Sequence, residues 1–251
     1  MTSALTIALM VYIGFGLLLY FFQNNFLYYP TPEYNNPDYQ SLRLDSDGES
    51  IKIWRINPGK KNAIIYFGGN AEPVEINIPL FTELMPNYSI YLVNYRGYGG
   101  SSGTPSEAGL FADALNIYDN IRQQHTRISA MGRSLGSGIA VYLASQRSIE
   151  KLILVTPYDS IEKVAQRSYP LFPISILLKD KYDAQKYAAD ISTRTLMLVA
   201  QNDQLIPPVH AQRLAESFKT AKVTTKIIAN TGHNTISHSP EYQGYLVEFL
   251  Q

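Results

Sequence analysis

The sequence predicts an α/β protein with a mainly parallel sheet and helices on both of its faces. From about residue 41 onward, short β-branched and aliphatic runs alternate with helical stretches. This alternation is typical of parallel strands joined by crossover helices. The chain has 251 residues, of which 45% are hydrophobic, and this is enough for one large core.

The predicted elements follow one another in a regular order. Two strand-like runs, SLRLDS and SIKIWRI, flank Asp47-Gly48, a dipeptide that favours a tight hairpin turn and so an antiparallel edge. Four further strands are predicted at NAIIYF, SIYLVNY, RISAMG and KLILVTP, with helices near 74–85, 107–123 and 135–146. The last strands, TLMLVA and TKIIAN, bracket a helix near 208–218, and a final helix begins at about Pro240.

Residues 160–190 do not fit the alternation. They carry Pro170, Pro173, the apolar run ISILL and the charged stretch KDKYDAQK. Because this segment lies between the sixth and seventh predicted strands, it is predicted to be an insertion that could form a small lid. The predicted organisation is an anchor with its flank at 1–27 and a single α/β domain at 28–251.

The first thirty residues predict a membrane anchor. No charged side chain precedes Glu33, and the nineteen residues from Ala4 to Phe22 are almost all apolar. As a helix they rise about 28 Å, close to the roughly 30 Å of a bilayer core. The aromatic residues at the end of this run resemble an interfacial belt. The sequence therefore predicts a single-pass protein of a bacterial inner membrane or its equivalent, followed by an extended linker over residues 28–38.

Two alternatives to an anchor are a cleaved signal peptide and a buried or interfacial helix. A signal peptide has a basic leader and small residues at its cleavage site, and FFQNNFLYYP contains no small pair.

Charge and composition exclude several function classes. Lys plus Arg equal Asp plus Glu at 21 each, so no positive field attracts nucleic acid, and nucleic acid is not an expected partner. The chain has no cysteine, which excludes thiolate catalysis and thiolate metal sites. Since it also lacks a nucleotide fingerprint and metal-ligand spacing, neither a cofactor nor a metal is predicted.

The most specific motif is GRSLG at Gly132 to Gly136, a GxSxG pattern. It follows the strand RISAM and opens the helix LGSGIAVYLAS, the strand–turn–helix context that a nucleophile turn requires. The glycines permit a tight turn, and the helix N-terminus favours negative charge that develops beside it. Ser134 is therefore the predicted nucleophile. The alternative is an ordinary helix entry in which Ser134 is only the N-cap.

A serine hydroxyl needs a base to take its proton. With this motif the chain order is serine, acid and then histidine. His233 lies in the loop after TKIIAN and is the predicted base, with His238 in reserve. His125 precedes the nucleophile, and His210 lies inside a predicted helix.

An acid must orient the imidazole and stabilise its charged form. Asp203 follows the strand TLMLVA in the turn QNDQLIPP and is the predicted acid. A solvated turn residue is the alternative interpretation of Asp203. The other candidate acids are Asp159, Asp180, Asp183 and Asp190.

An oxyanion hole completes the predicted site. One donor is the main-chain N–H of Leu135, the residue after the nucleophile, and the other comes from the loop after the third strand. That loop reads FGGNAE, and the N–H of Asn70 is the predicted donor. The alternative is a plain glycine turn.

From about Tyr28 to its C-terminus the chain resembles the membrane-anchored α/β-hydrolase-domain proteins near the serine aminopeptidase branch. The matching stretches are YFGGNAE, NYRGYGGSSGTPSE, MGRSLGSG, QNDQLIPP and TGHN, in the same order and spacing. The resemblance implies an α/β-hydrolase fold, a triad of Ser134, Asp203 and His233, and hydrolysis of an ester, thioester or amide. Some relatives remove fatty acyl groups from proteins or act on lipids.

Two positions depart from the family pattern. Gly68-Gly69 replaces a His-Gly pair, and Glu72 stands where a small residue is common. The Glu72 carboxylate is expected either to oppose oxyanion charge or to bind a cationic substrate group.

The expected function is a membrane-anchored serine hydrolase, esterase- or thioesterase-like, that acts on an acylated or lipid-like substrate without a cofactor. A peptidase or amidase, and a catalytically inactive binding protein, are the alternatives.

Overall fold

An eight-stranded sheet lies at the centre of the protein. The computed structural model describes residues 2–251, except for the side chain of Thr2, so Met1 of the predicted anchor lies outside the described residues. The strands are β1 (Ser41–Ser46), β2 (Glu49–Ile56), β3 (Asn62–Phe67), β4 (Tyr88–Val93), β5 (Arg127–Arg133), β6 (Lys151–Val155), β7 (Arg194–Ala200) and β8 (Val223–Ile228). Their order across the sheet is β1-β2-β4-β3-β5-β6-β7-β8.

The sheet begins with the predicted antiparallel hairpin. Ser46 pairs with Glu49, and Asp47 and Gly48 between them have φ of 53° and 82°. Two positive φ values in a two-residue loop define the turn whose twist matches that of the flanking strands. β2 also pairs antiparallel with β4, whereas the pairs from β4 through β3 to β8 are parallel.

Helices cover both faces of the sheet, as predicted. They are α1 (Thr2–Leu27), α2 (Ile78–Leu84), α3 (Glu107–Ile121), α4 (Leu135–Gln146), α5 (Ile161–Ser168), α6 (Ile174–Leu177), α7 (Ala184–Ala188), α8 (Pro208–Ser217) and α9 (Pro240–Leu250). Alternate residues of β3 face opposite cores. Ala63 and Ile65 pack with α3, α4, α7 and α8, while Ile64 and Tyr66 pack with α2 and α9. The central strands are apolar throughout because both of their faces are buried.

The helix predicted over 74–85 is divided in two. A 3₁₀ turn occupies Val74–Asn77, and α2 then begins with Pro79 in its first turn. Proline is favoured there because its fixed φ suits a helix start and the N–H that it lacks would have no partner within the helix.

The helix α1 is 26 residues long, or about 39 Å. Among residues 2–251 it is the one helix long and apolar enough to cross a membrane. Its side chains are largely exposed, and Leu19 and Gln23 are the buried exceptions among those described.

The insertion between β6 and β7, residues 160–190, contains α5, α6 and α7, and its first part packs against α1. Tyr12 stacks on Phe172 with ring centroids 4.7 Å apart, and its hydroxyl donates to the carbonyl of Leu171 over 2.9 Å. Nearer the end of α1, the Gln23 amide donates to the carbonyl of Leu177 and accepts from the N–H of Lys179.

The segment after α1 is extended, but it is packed against the domain. The Tyr28 side chain is buried, and its hydroxyl donates to Asp180 in the insertion over 2.7 Å. The Thr31 carbonyl accepts from the N–H of Gly99. These contacts hold the segment after α1 against the insertion and against the loop between β4 and α3.

Candidate active site

The GxSxG turn lies where β5 ends and α4 begins. Ser134 has φ 49° and ψ −118°, a strained conformation that a non-glycine residue adopts only where its surroundings enforce it. A Cβ on Gly132 would lie 2.2 Å from the carbonyl oxygen of Gly136, and a Cβ on Gly136 would lie 2.1 Å from that of Phe67. Glycine is therefore required at both positions by close backbone packing.

The Ser134 hydroxyl faces a cleft at the carboxyl edge of the sheet. Its side chain makes no capping hydrogen bond to α4. Instead, its Oγ lies 2.9 Å from Nε2 of His233. The imidazole is thus within hydrogen-bonding distance of the hydroxyl whose proton it is predicted to accept.

His233 is held from its other side by Asp203. Nδ1 of His233 lies 2.7 Å from Oδ2 of Asp203. The second carboxylate oxygen accepts from the N–H groups of Leu205 and Ile206, and Asp203 is almost completely buried. Main-chain N–H groups of the turn QNDQLIPP therefore hold the Asp203 carboxylate in place, and the carboxylate in turn orients the His233 ring. The structure brings together the three predicted catalytic residues, which come from loops after three different strands.

The other histidines do not contact Ser134. His125 lies between the Lys60 carbonyl and the Tyr91 hydroxyl, and His238 is exposed. His210 is buried, with Nδ1 2.7 Å from a carboxylate oxygen of Asp159.

The alternative acids likewise do not contact His233. Asp159 pairs with His210, Asp180 accepts from Tyr28, and Asp183 caps α7 by accepting from the N–H of Lys186. Asp190 is exposed at the end of the insertion.

The predicted oxyanion donors lie on the walls of the same cleft as Ser134. Asn70 and Leu135 both line it. Among the described residues, the main-chain N–H groups of Asn70 and Leu135 donate to no protein acceptor. The adjacent N–H of Gly69, in contrast, donates to Glu72 over 2.6 Å. Two unpaired N–H groups near the serine are the arrangement that stabilises a developing oxyanion.

Glu72 is buried and fully bonded within the protein. Its Oε1 accepts from the Tyr66 hydroxyl and the Asn77 amide, and its Oε2 accepts from the Gly69 N–H and from Arg133 over 2.7 Å. The carboxylate is therefore not available to a cationic substrate group, which corrects that expectation. Because its negative charge is paired with the Arg133 guanidinium, the Glu72 carboxylate opposes a developing oxyanion less than an unpaired carboxylate would.

Arg133 is a functional candidate that the sequence analysis missed. Besides Glu72, its guanidinium donates to the His233 carbonyl and to the Asn234 side chain, each over 3.3 Å. Burial acts to lower the pKa of Arg133, but the neighbouring Glu72 carboxylate outweighs this and raises it, so the side chain stays charged. In the sequence, this role could have been inferred only from the positive charge of Arg133 inside GxSxG and from the unusual acid Glu72 in the oxyanion loop.

The cleft over Ser134 has a volume of about 470 Å³. Its walls come from the oxyanion loop, the nucleophile turn, the His233 loop and α5. The end of α1 also contributes, through Phe26 and Leu27. The N-terminal helix therefore takes part directly in shaping the site.

Comparison with known proteins agrees with this architecture. Residues 62–180 match the family model for the alpha/beta hydrolase fold. The uncharacterized protein Rv2307c of Mycobacterium tuberculosis is 32% identical over 196 residues, which cover 75% of this chain and 69% of the relative. The chain belongs to the α/β-hydrolase family. The predicted fold and the family resemblance are thereby confirmed.

Two further proteins extend the comparison. The uncharacterized membrane protein YNL320W of Saccharomyces cerevisiae is 26% identical to this α/β hydrolase over 255 residues, covering 92% of this chain and 90% of the relative. The esterase Pf2001 of Pyrococcus furiosus superposes with a TM-score of 0.71, over 89% of this chain and 97% of that one. Since Pf2001 is only 18% identical, it supports the fold alone.

The buried pair of Asp159 and His210 generates a stability prediction for this α/β hydrolase. Burial opposes ionisation of Asp159, but hydrogen bonds from His210 and from the Ser160 N–H outweigh it and lower the pKa of Asp159. We expect Asp159→Asn to lower the free energy of unfolding by about 2 kcal/mol near pH 7. A carboxylate whose pKa is lower in the folded state than in the unfolded state stabilises the fold at pH values above the unfolded pKa, which is about 3.9 for Asp. The stability difference between wild type and variant should therefore shrink as the pH falls below about 3.9.

Urea unfolding of the detergent-solubilised chain at a series of pH values measures this difference. Asp119→Asn is the matched control, because Asp119 pairs with Arg147 at the surface, where we expect a loss of no more than about 1 kcal/mol. Equal losses for the two variants, or a difference that grows on acidification, would contradict the prediction.

Proposed function

We propose that this chain is a membrane-anchored serine hydrolase that cleaves an ester or thioester of an acylated substrate. The observation that carries the proposal is the continuous hydrogen-bonded series from Asp203 through His233 to Ser134, with steps of 2.7 and 2.9 Å. A hydroxyl, an imidazole and a carboxylate in this series form the standard device for activating a serine.

In the acylation step, His233 Nε2 accepts the Ser134 proton while Oγ attacks the acyl carbonyl. Asp203 stabilises the imidazolium through Nδ1–H, and the N–H groups of Asn70 and Leu135 bind the oxyanion. His233 then gives its proton to the leaving oxygen or sulfur, and an acyl-enzyme remains. Water, deprotonated by His233, attacks the acyl-enzyme and restores the free serine.

The electrostatic contributions are consistent with catalysis by this route. A single oxyanion donor contributes about 10²- to 10³-fold in rate, and general base catalysis contributes about 10²- to 10⁴-fold. Leu135 also begins α4, so the positive end of that helix points at the site of developing charge.

The anchoring function is assigned to α1. Its exposed apolar surface and its length suit a bilayer core, and a relative is named as a membrane protein. A cleaved signal sequence fits the structure poorly, because cleavage after α1 would remove Phe26 and Leu27 from the wall of the cleft. We propose that α1 is retained as a single-pass anchor.

Active-site labelling tests the nucleophile. We expect a fluorophosphonate probe to label the wild-type chain and not Ser134→Ala, because such probes react with an activated serine. Ser145→Ala, near the end of the helix α4 that begins directly after Ser134, is the control and should label normally. A folded wild-type chain that does not label would favour a catalytically inactive binding protein.

The histidines are distinguished by turnover of 4-nitrophenyl butanoate. His233→Ala should lower kcat by at least about 10³-fold, whereas His238→Ala should keep most of the activity since His238 is exposed and away from Ser134. Comparable losses in both variants would refute the assignment of His233 as the base.

Glu72 is predicted to position the oxyanion loop. In Glu72→Gln the Arg133 charge loses its partner and the Gly69 N–H loses a carboxylate acceptor, so we expect kcat to fall about 10- to 100-fold with a smaller change in KM. Glu75→Gln is the matched control, because Glu75 is buried three residues away without a side-chain hydrogen bond in the described structure. The prediction fails if both variants retain wild-type kcat.

A further inference from the structure

A narrow apolar cavity of about 110 Å³ lies between α1 and the insertion. Leu19 and Phe26 contribute to it from α1, and Ala165, Ile174 and Leu177 contribute from the insertion. Apart from the Gln23 amide and the Tyr169 ring, its lining residues are apolar. Since apolar cavities of similar size bind small hydrocarbons, this space is chemically suited to part of a hydrocarbon chain.

The cavity adjoins the cleft over Ser134. Phe26, Leu27, Ile161 and Ala165 are walls of both spaces. The cavity is therefore the apolar space next to the position that an acyl group bonded to the Ser134 oxygen would occupy. This adjacency gives the hydrocarbon chain of that acyl group an apolar site.

The far end of the cavity lies beside the exposed apolar part of α1. The cavity walls extend along α1 from Leu27 to Leu19, a distance of about 12 Å along the helix axis. This part of α1 has an exposed apolar outer surface. The insertion follows α1 in the same direction, since its Phe172 and Leu171 contact Tyr12. Between Arg167 and Lys179 it carries no charge, and Leu171 and Ile176 are 79% and 77% exposed. Exposed apolar side chains on both walls indicate that hydrocarbon surrounds this end of the cavity.

One wall is bonded to the oxyanion loop, and the other wall is bonded to the first. The Asn70 amide donates to the Leu27 carbonyl over 2.7 Å, and its oxygen accepts from the Tyr29 N–H. The last turn of α1 is thus bonded to the residue whose N–H is the proposed oxyanion donor. On the other side, Gln23 holds the insertion through Leu177 and Lys179.

We propose that α1 is one wall of an acyl-chain subsite as well as an anchor, and that the substrate is a lipid of the same bilayer. Its long acyl chain enters between α1 and the insertion and reaches Ser134 without passing through water. Lateral entry avoids the loss of hydrophobic stabilisation that a long chain suffers when it leaves a membrane. This inference rests on the proposed serine hydrolase function and adds the substrate class and its path.

The test compares two neighbouring leucines in the full chain, reconstituted in phosphatidylcholine vesicles. Leu19 is buried and lines the cavity, whereas Leu18 is exposed on the lipid-facing side of α1. The measured quantity is the ratio of kcat/KM for 4-nitrophenyl dodecanoate to that for 4-nitrophenyl butanoate. Because a tryptophan in the cavity obstructs a long chain, we expect Leu19→Trp to lower this ratio at least about 10-fold. Leu18→Trp should leave the ratio as in wild type.

Release of fatty acid from the vesicle phosphatidylcholine is the second measurement. We expect release by the wild-type chain and by Leu18→Trp, and a marked reduction in Leu19→Trp. Equal dodecanoate-to-butanoate ratios in the two variants would overturn the subsite. Ester turnover by the wild-type chain without release from the vesicles would overturn the lipid substrate.

A further variant and a labelling control separate the possible failures. Leu178→Trp blocks the same cavity from the insertion, and we expect it to reproduce the effect of Leu19→Trp if both variants fold. Fluorophosphonate labelling of Ser134 reports folding in each variant. A wild-type chain that neither labels nor hydrolyses butanoate refutes the serine hydrolase proposal itself, whereas intact labelling with an unchanged ratio refutes only the subsite.

Discussion

The arrangement of the site depends on an ion pair between Glu72, which is buried, and Arg133, whose side chain is 16% exposed; the paired atoms are 2.7 Å apart. Burying two charges costs more than their attraction returns unless the remaining hydrogen-bonding capacity is also satisfied. That condition is met for the carboxylate, because each oxygen of Glu72 has two donors. On the guanidinium, Nε of Arg133 is buried without an acceptor in the described structure. The pair joins the loop after β3 to the nucleophile turn after β5. Through its bond to the His233 carbonyl, Arg133 extends the connection to the loop after β8.

The parallel sheet explains why these loops meet. In an open parallel sheet the carboxyl ends of the strands lie along one edge, where the connecting loops converge. β3 and β5 are direct neighbours, so the oxyanion loop and the nucleophile turn are adjacent by topology. β7 and β8 are also neighbours, and this places Asp203 beside His233. Close backbone contact between Gly136 and Phe67 keeps the first two loops at a fixed separation.

Among residues 2–251, two Asp–His pairs have similar geometry, and their surroundings differ. His210 and His233 each lie 2.7 Å from a carboxylate oxygen. Only His233, of these two, has a serine oxygen within hydrogen-bonding distance on its other nitrogen. His210 belongs to α8 and is enclosed, so its pair contributes to packing and stability. An Asp–His pair alone is therefore not evidence of catalysis.

The sequence alone determined the elements whose signals are local. The Asp47-Gly48 hairpin, the alternation of strands and helices, the strand–turn–helix context of Ser134 and the apolar character of α1 all follow from neighbouring residues. The sequence also indicated Asp203 and His233 as candidates, because each lies in the loop that follows a predicted strand. Only the tertiary structure decided which acid lies beside which histidine, since Asp203 is 30 residues from His233 and His233 is 99 from Ser134.

Tertiary structure alone also decided that Glu72 pairs with Arg133 and that α1 forms part of the cleft wall. The physical reason is the same in each case. Local propensity and periodicity act between residues near in sequence, whereas a buried charge or an apolar wall is defined by partners that the fold brings from far along the chain.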